Sequence, residues 1–192
     1  MTQARDIMDA DSVKRAINRM AQEIIEYNGG AEHLVIVGLY KNGVFLARRL
    51  ADAIARTEHC PVPVGSMDIT LYRDDIGLRA DGPHLPDIQG TQISFDITDK
   101  IVILVDDVLN TGRSIRAALD QLMDLGRPRK IQLVGLVDRG GRELPIRPDF
   151  LGREISAAEN EIVRVRLTEH DKLDQVVIVP KKESTRTTAH RH

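Results

Sequence analysis

Apolar positions recur along this chain with two periods, and the switches between them lay out the elements. From residue 11 to 27, Val13, Ile17, Met20, Ile24 and Ile25 fall at helical spacing, with Lys14, Arg15 and Arg19 elsewhere on the helix surface. Asn28-Gly29-Gly30 ends this helix, because glycine accepts the left-handed conformation of a helix stop. The apolar run from His33 to Gly38 predicts a strand and Val44 to Arg56 a helix. Val62 to Arg73 alternates loosely as a second strand, entered through Pro61 and Pro63, which suit a strand's beginning. Then come a strand at 101–105, a helix at 115–125, a strand at 131–137, an irregular proline-containing segment at 138–153, and short strands near 161–167 and 175–179. Strands alternating with helices predict an α/β fold with right-handed crossovers and a mostly parallel twisted sheet flanked by helices. In such sheets ligands bind at the C-terminal ends of the strands.

Two stretches fall outside the pattern. Residues 74–99 are dominated by Asp, Gly, Pro and Thr, with scattered apolar positions, and are expected to be a flexible flap over a site, the alternative being a disordered insertion. Lys181 to His192 is expected to be a disordered polar tail after a single domain spanning residues 1–180.

Composition narrows the class. A chain of 192 residues, 42 % hydrophobic and 29 % charged, can bury a core of its own and has a soluble globular profile. No apolar run approaches the roughly 20 residues that span a bilayer, and Met1-Thr-Gln-Ala-Arg-Asp6 lacks a signal peptide's apolar core. The lone Cys60 excludes an internal disulfide and fits a reducing cytoplasm, where it serves as a small apolar filler. No Cys/His spacing suggests zinc. A net charge of −2 supplies no global basic field, and 3 % aromatics without Trp argue against a stacking platform for single strands. A local basic patch that reads folded RNA by shape stays open.

The candidate chemistry lies in residues 101–114. The run Ile101-Val-Ile-Leu-Val105 is followed by Asp106 and Asp107, then Val108, Leu109, Asn110, Thr111, Gly112, Arg113 and Ser114, then a helix. Two carboxylates can accept hydrogen bonds from vicinal ribose hydroxyls. The Thr-Gly-Arg-Ser turn offers backbone N–H groups and hydroxyls to a phosphate at a helix N-terminus, and Gly112 lets the backbone approach it. An ordinary strand end with helix-capping residues is the alternative, and the two acids with two hydroxyls and a glycine favour the ligand. There is neither a P-loop nor a dinucleotide fingerprint. Gly38 to Gly43, also between a strand and a helix, is a second anion site or else an ordinary turn with a surface Lys41.

Residues 101–114 resemble the motif of the type I phosphoribosyltransferases that binds phosphoribosyl pyrophosphate (PRPP). Ser66-Met-Asp-Ile-Thr-Leu-Tyr-Arg-Asp-Asp75, Val137-Asp-Arg-Gly140 and Arg142-Glu-Leu-Pro-Ile-Arg147 narrow the resemblance to the PyrR family of pyrimidine operon attenuators, from about residue 9 to about residue 179. The resemblance implies the type I phosphoribosyltransferase fold with a flexible flap and a small C-terminal hood. It implies conversion of uracil and PRPP to UMP and diphosphate, with Mg²⁺ held mainly by PRPP rather than by a protein metal site. Asp106 and Asp107 then hold the ribose and the Thr-Gly turn holds the 5′-phosphate. Lys41-Asn42-Gly43 stands where the family has Thr-Arg-Gly. Asn42 thus replaces an arginine that contacts pyrophosphate, and Lys41 restores the charge as a point cation. Arg73 is expected to approach pyrophosphate when the flap closes, or to pair with Asp74 or Asp75. Arg139, held by Asp138, borders a uracil pocket whose base edge is met by backbone near Ile162 and Val163. Gly141 and Asn110 depart from the family's His and Tyr.

The same resemblance implies UMP-dependent binding to an mRNA leader and assembly as a homodimer or dimer of dimers. Lys14, Arg15, Arg19, Arg142, Arg147 and Arg153 are the basic candidates, provided that they cluster on one face; the alternative is a solvated charged surface. Segment 154–161 is acidic where the family tends to be basic. Two other readings stay open: an RNA-binding regulator with weak or no catalysis, and a purine-type phosphoribosyltransferase suggested by Lys41.

Overall fold

The computed structural model describes residues 4–70 and 90–181. Its centre is a five-stranded, wholly parallel sheet of order β3-β2-β4-β5-β6, formed by β2 (Leu34–Leu39), β3 (Val64–Met67), β4 (Ile101–Leu109), β5 (Lys130–Asp138) and β6 (Phe150–Glu154). Every residue of β2 is buried, as a parallel sheet covered on both faces requires. Leu34 and Ile36 face the core beneath α1 (Ala10–Asn28) and α2 (Asn42–Glu58). Val35, Val37 and Leu39 face the core beneath α3 (Arg113–Leu125).

The helices begin and end where the residues dictate. Asp9 caps α1 by accepting from the Ser12 N–H at 2.8 Å, and Gly29, at φ 68°, turns the chain off it. Val13, Ile17, Met20 and Ile24 are all buried on one face. The second sheet is antiparallel, of order β1-β8-β7, from β1 (Arg5–Met8), β7 (Glu161–Arg166) and β8 (Gln175–Pro180). A single turn, α4 (Thr168–Asp171), joins β7 to β8. This hood therefore uses both ends of the described chain, with β1 as a contribution that four residues of weak alternation did not reveal.

Four expectations are corrected. The second strand stops at Met67 instead of reaching Arg73, because Asp68 turns back to bond the N–H and hydroxyl of Thr70. The strand at 101–105 continues to Leu109, so Asp106 and Asp107 lie within it, paired with β5 up to Leu109↔Asp138. The irregular segment 138–153 contains the start of β6, whose pairing with β5 no local period announces. Residues 90–99 are not flap. Gln92 bridges to Ser66, Ile93 and Phe95 pack on the α3-side core, and Ile97 is fully buried. The remainder of the expected flap up to residue 89, with Arg73, and the tail from residue 182 lie outside the described residues. Among the described residues no helix is long and apolar enough to cross a membrane.

Candidate active site

The C-terminal ends of β2, β3 and β4 converge on one cavity of about 330 Å³, lined by Leu39, Tyr40, Lys41, Asp68, Ile69, Thr70, Asp106, Asp107, Val108 and Ser114. Asp106 accepts the Asp107 N–H at 3.0 Å, and Asp107 accepts the Val108 N–H at 2.9 Å through Oδ1. Each carboxylate is thus tied to the backbone N–H of the residue that follows it, and both line the cavity. Burial pushes the Asp107 carboxyl up, opposed first by the hydrogen bond from Asn42.

The turn after β4 is built for close approach. Gly112, at φ 92°, caps α3, and the Arg113 N–H donates to Thr111 Oγ1 at 3.3 Å. The first N–H groups of α3 then open toward an anion beside Ser114. Thr111 is pinned from the other side, its carbonyl accepting the N–H groups of Glu143 and Leu144 at 3.0 and 3.2 Å. Arg113 pairs with Glu143 at 2.6 Å.

The turn after β2 is equally tight. A Cβ on Gly38 would meet the Gly43 carbonyl oxygen at 2.4 Å, and one on Gly43 would meet that of Val105 at 2.5 Å. Gly38 thus lets the start of α2 lie directly on β2, and Gly43 lets it lie on β4. The peptide between Tyr40 and Lys41 is cis, and Lys41 is exposed at the cavity. Asn42 differs from expectation. Its Nδ2 donates to Asp107 Oδ2 at 2.7 Å and to the Val165 carbonyl at 3.1 Å, so its amide faces Asp107 and the hood.

A second cavity of about 650 Å³ is lined by Asn110, Arg139, Gly141, Ala157, Glu159, Glu161, Ile162 and Lys181. Arg139 donates to the carbonyls of Glu161 and Ala158 at 3.2 and 3.3 Å. Asp138 does not hold it; that carboxylate accepts the Gly140 N–H and the guanidinium of Arg142. Ile162 lines the cavity, whereas the Val163 side chain is buried in the core. Strand β7 is the open edge of the hood. The Lys181 N–H donates to the Asn160 carbonyl, so even-numbered residues face β8 and odd-numbered ones face outward. Glu161 and Val165 are held from outside by Arg139 and Asn42, and Val163 between them presents its N–H and C=O on the same edge.

The basic residues divide into groups. Lys14 and Arg15 are exposed on α1, and Arg147 is exposed in the loop before β6. Arg19 donates to the carbonyls of Leu151 and Gly152, and Arg153 to that of Ile7, so both tie elements together. Arg142 is enclosed by three acceptors, the carbonyls of Ile146 and Asn110 and the Asp138 carboxylate, and so ties the turn after β4 to the end of β5. Asp68, Ile69 and Thr70 were missed as cavity residues, although their place just past a parallel strand is the signal that marks such sites.

The phosphoribosyl transferase domain family matches residues 3–170. The bifunctional protein PyrR of Listeria monocytogenes is 51 % identical over 177 residues, covering 92 % of this chain and 97 % of the relative. That of Chloroflexus aurantiacus is 52 % identical over 179 residues, covering 93 % and 97 %. Among solved structures, a hypoxanthine phosphoribosyltransferase of Trypanosoma cruzi superposes with a TM-score of 0.70 at 18 % identity, covering 91 % of this chain and 94 % of that one. One from Staphylococcus aureus gives 0.65 at 17 %, covering 93 % of each. At such identities these structures report the fold.

Proposed function

The chain belongs to the phosphoribosyltransferase family and, within it, to the bifunctional PyrR proteins, and on that premise we propose that it transfers phosphoribose from PRPP to uracil and regulates pyrimidine genes through a UMP-dependent contact with an mRNA leader. The observation that carries the transfer reading is that β4 and the turn after it contribute to two cavities, one walled by Asp106, Asp107, Lys41 and Ser114, the other by Asn110, Arg139 and Ile162.

In this reading Asp106 and Asp107 accept hydrogen bonds from the ribose hydroxyls, and the 111–114 turn holds the 5′-phosphate. The bond from C1′ to the pyrophosphate oxygen breaks early, its electron pair leaving with pyrophosphate, and a uracil ring nitrogen closes on C1′ and releases its proton. The two carboxylates stabilise the positive charge that develops on the ribose. Lys41, with Arg73 from the segment beyond Thr70, meets the leaving charge. Asp68, Asp106 and Asp107 make an oxygen-rich wall that fits Mg²⁺ arriving with PRPP. Among the described residues no group of three or more His, Cys, Asp or Glu side chains is placed to hold a metal alone. Mg²⁺, when bound, neutralises pyrophosphate charge.

A backbone N–H beside a C=O, as Val163 presents, matches a carbonyl oxygen next to a ring N–H, which uracil offers at N3 and hypoxanthine at N1, so the edge fits an oxo base and uracil is taken from the PyrR relatives. Glu161 and Ile162 of the hood line the second cavity together with Asn110 and Arg139 of the sheet's loops, which favours a single domain. A homodimer or dimer of dimers would join the α1 basic residues of two copies into a larger RNA-facing surface. The deciding experiment offers uracil, hypoxanthine, guanine and xanthine with PRPP and Mg²⁺ and follows diphosphate release. Turnover with uracil alone is expected; turnover with a purine and none with uracil would replace this reading with the purine one.

A further inference from the structure

Asn42 is where three separately built parts of the site meet. It opens α2 after the turn from β2, donates to Asp107 Oδ2 on β4, and donates to the Val165 carbonyl on β7. A side-chain amide nitrogen carries two hydrogens, and two acceptors take them, so neither is left for a pyrophosphate oxygen. We propose that Asn42 is a positioning residue: it holds the Asp107 carboxylate in the orientation that accepts the ribose hydroxyls and ties that orientation to the strand presenting the base edge. The proposal rests on the phosphoribosyl-transfer reading above.

Three features of the geometry support it. The Val108 N–H anchors Oδ1 of Asp107 and Asn42 anchors Oδ2, so both oxygens are placed only while the amide is present. The donor is neutral. It orients the carboxylate without cancelling its charge, which stays available to the hydroxyls and to the cationic ribose. A guanidinium at this position would pair with that charge and weaken both. Finally, Asn42 and Arg139 grip β7 two residues to either side of Val163, through Val165 and Glu161. The ribose acid and the base edge are therefore joined through one short, half-buried side chain.

The test uses the full chain in steady-state kinetics, with Asn42→Ala and Asn42→Asp beside the wild type. Asn42→Ala is expected to raise KM for PRPP by roughly ten- to a hundredfold, the worth of a hydrogen bond to a charged group. Asn42→Asp keeps the shape but replaces the donor by a carboxylate, and is expected to be impaired at least as much. A purely structural role would shrink the active fraction, lowering kcat at unchanged KM. Either variant with a PRPP KM within twofold of wild type overturns the proposal. Should Asn42→Ala fail to fold, Asn42→Asp and Asn42→Ser carry the same KM comparison. A wild-type chain that forms no UMP overturns both this proposal and the transfer reading; an active wild type with unaffected variants overturns this proposal alone.

Discussion

Asp107 shows how function and stability pull apart at one residue. Burial raises its carboxyl above the ordinary aspartate range, so the fold disfavours the ionised form that the ribose hydroxyls require. For a carboxyl raised in the fold, the cost is present at pH values above its raised pKa. It is relieved as pH falls through that value toward the unfolded one near 3.8. Asp107→Asn removes that cost but leaves one of the Val108 and Asn42 donors facing an NH2, so its melting temperature relative to wild type is expected to be most favourable near neutral pH and to fall behind on acidification. The same change, combined with Asp106→Asn, is expected to abolish PRPP binding in titration calorimetry. Unchanged affinity would remove the acids from the ribose site. The acids and the Thr-Gly turn were legible along the chain because residues 106–114 form one contiguous strand–turn–helix unit. The direction of the Asn42 side chain was not, because its acceptor Val165 lies far along the sequence and reaches it only through the hood.

At the scale of elements, the hood is fastened to α2 by charge as well as by apolar packing. Arg49 donates to Asp174 at 2.7 and 2.8 Å and to Glu169 at 2.8 and 2.6 Å, bridging the helix to α4 and to the residue before β8. The Arg49 hydrogen bond is the main cause that holds the Asp174 carboxyl down at about 2, with help from Thr168 against the opposing effect of burial. A depressed carboxyl stabilises the fold above its unfolded pKa and loses that contribution as pH falls through its folded one. The clamp is thus intact at neutral pH and released between about pH 4 and 2. Arg49→Ala is expected to cost about 1–2 kcal/mol, after allowing for solvent screening of this partly exposed cluster. Differential scanning calorimetry at pH 7 and pH 3 checks it, the mutational loss shrinking at the lower pH. Helices α1, α2 and α3 were legible because their apolar faces repeat locally. Strand β6 was not, since Pro148 and the turns before it carry no period and its identity comes from lying beside β5.

Over the whole molecule, a net charge of −2 leaves RNA binding to a local patch. Of the basic candidates, Lys14, Arg15 and Arg147 are exposed, while Arg19, Arg142 and Arg153 donate to acceptors distant in the chain or in its loops. Each chain can therefore neutralise only a few phosphates. A gel shift on the upstream leader is expected to require UMP and to weaken with salt along a shallow slope. Lys14→Gln with Arg147→Gln is expected to reduce that slope by about one for each phosphate that no longer meets a cation. Salt-independent binding, or binding unaffected by both changes, would move the RNA face elsewhere.

Local chemistry was written into the order of residues: the alternating α and β periods, the Asp-Asp pair, and the glycines that let backbone approach backbone or phosphate. Each of these depends on neighbours within a few positions. The tertiary structure alone decided which way Asn42 points, that Arg142 ties the turn after β4 to the end of β5, that β1 joins the hood, and that Val163 offers its backbone while burying its side chain. Those properties depend on partners distant in sequence, and no local period records the approach of a strand from the other end of the chain.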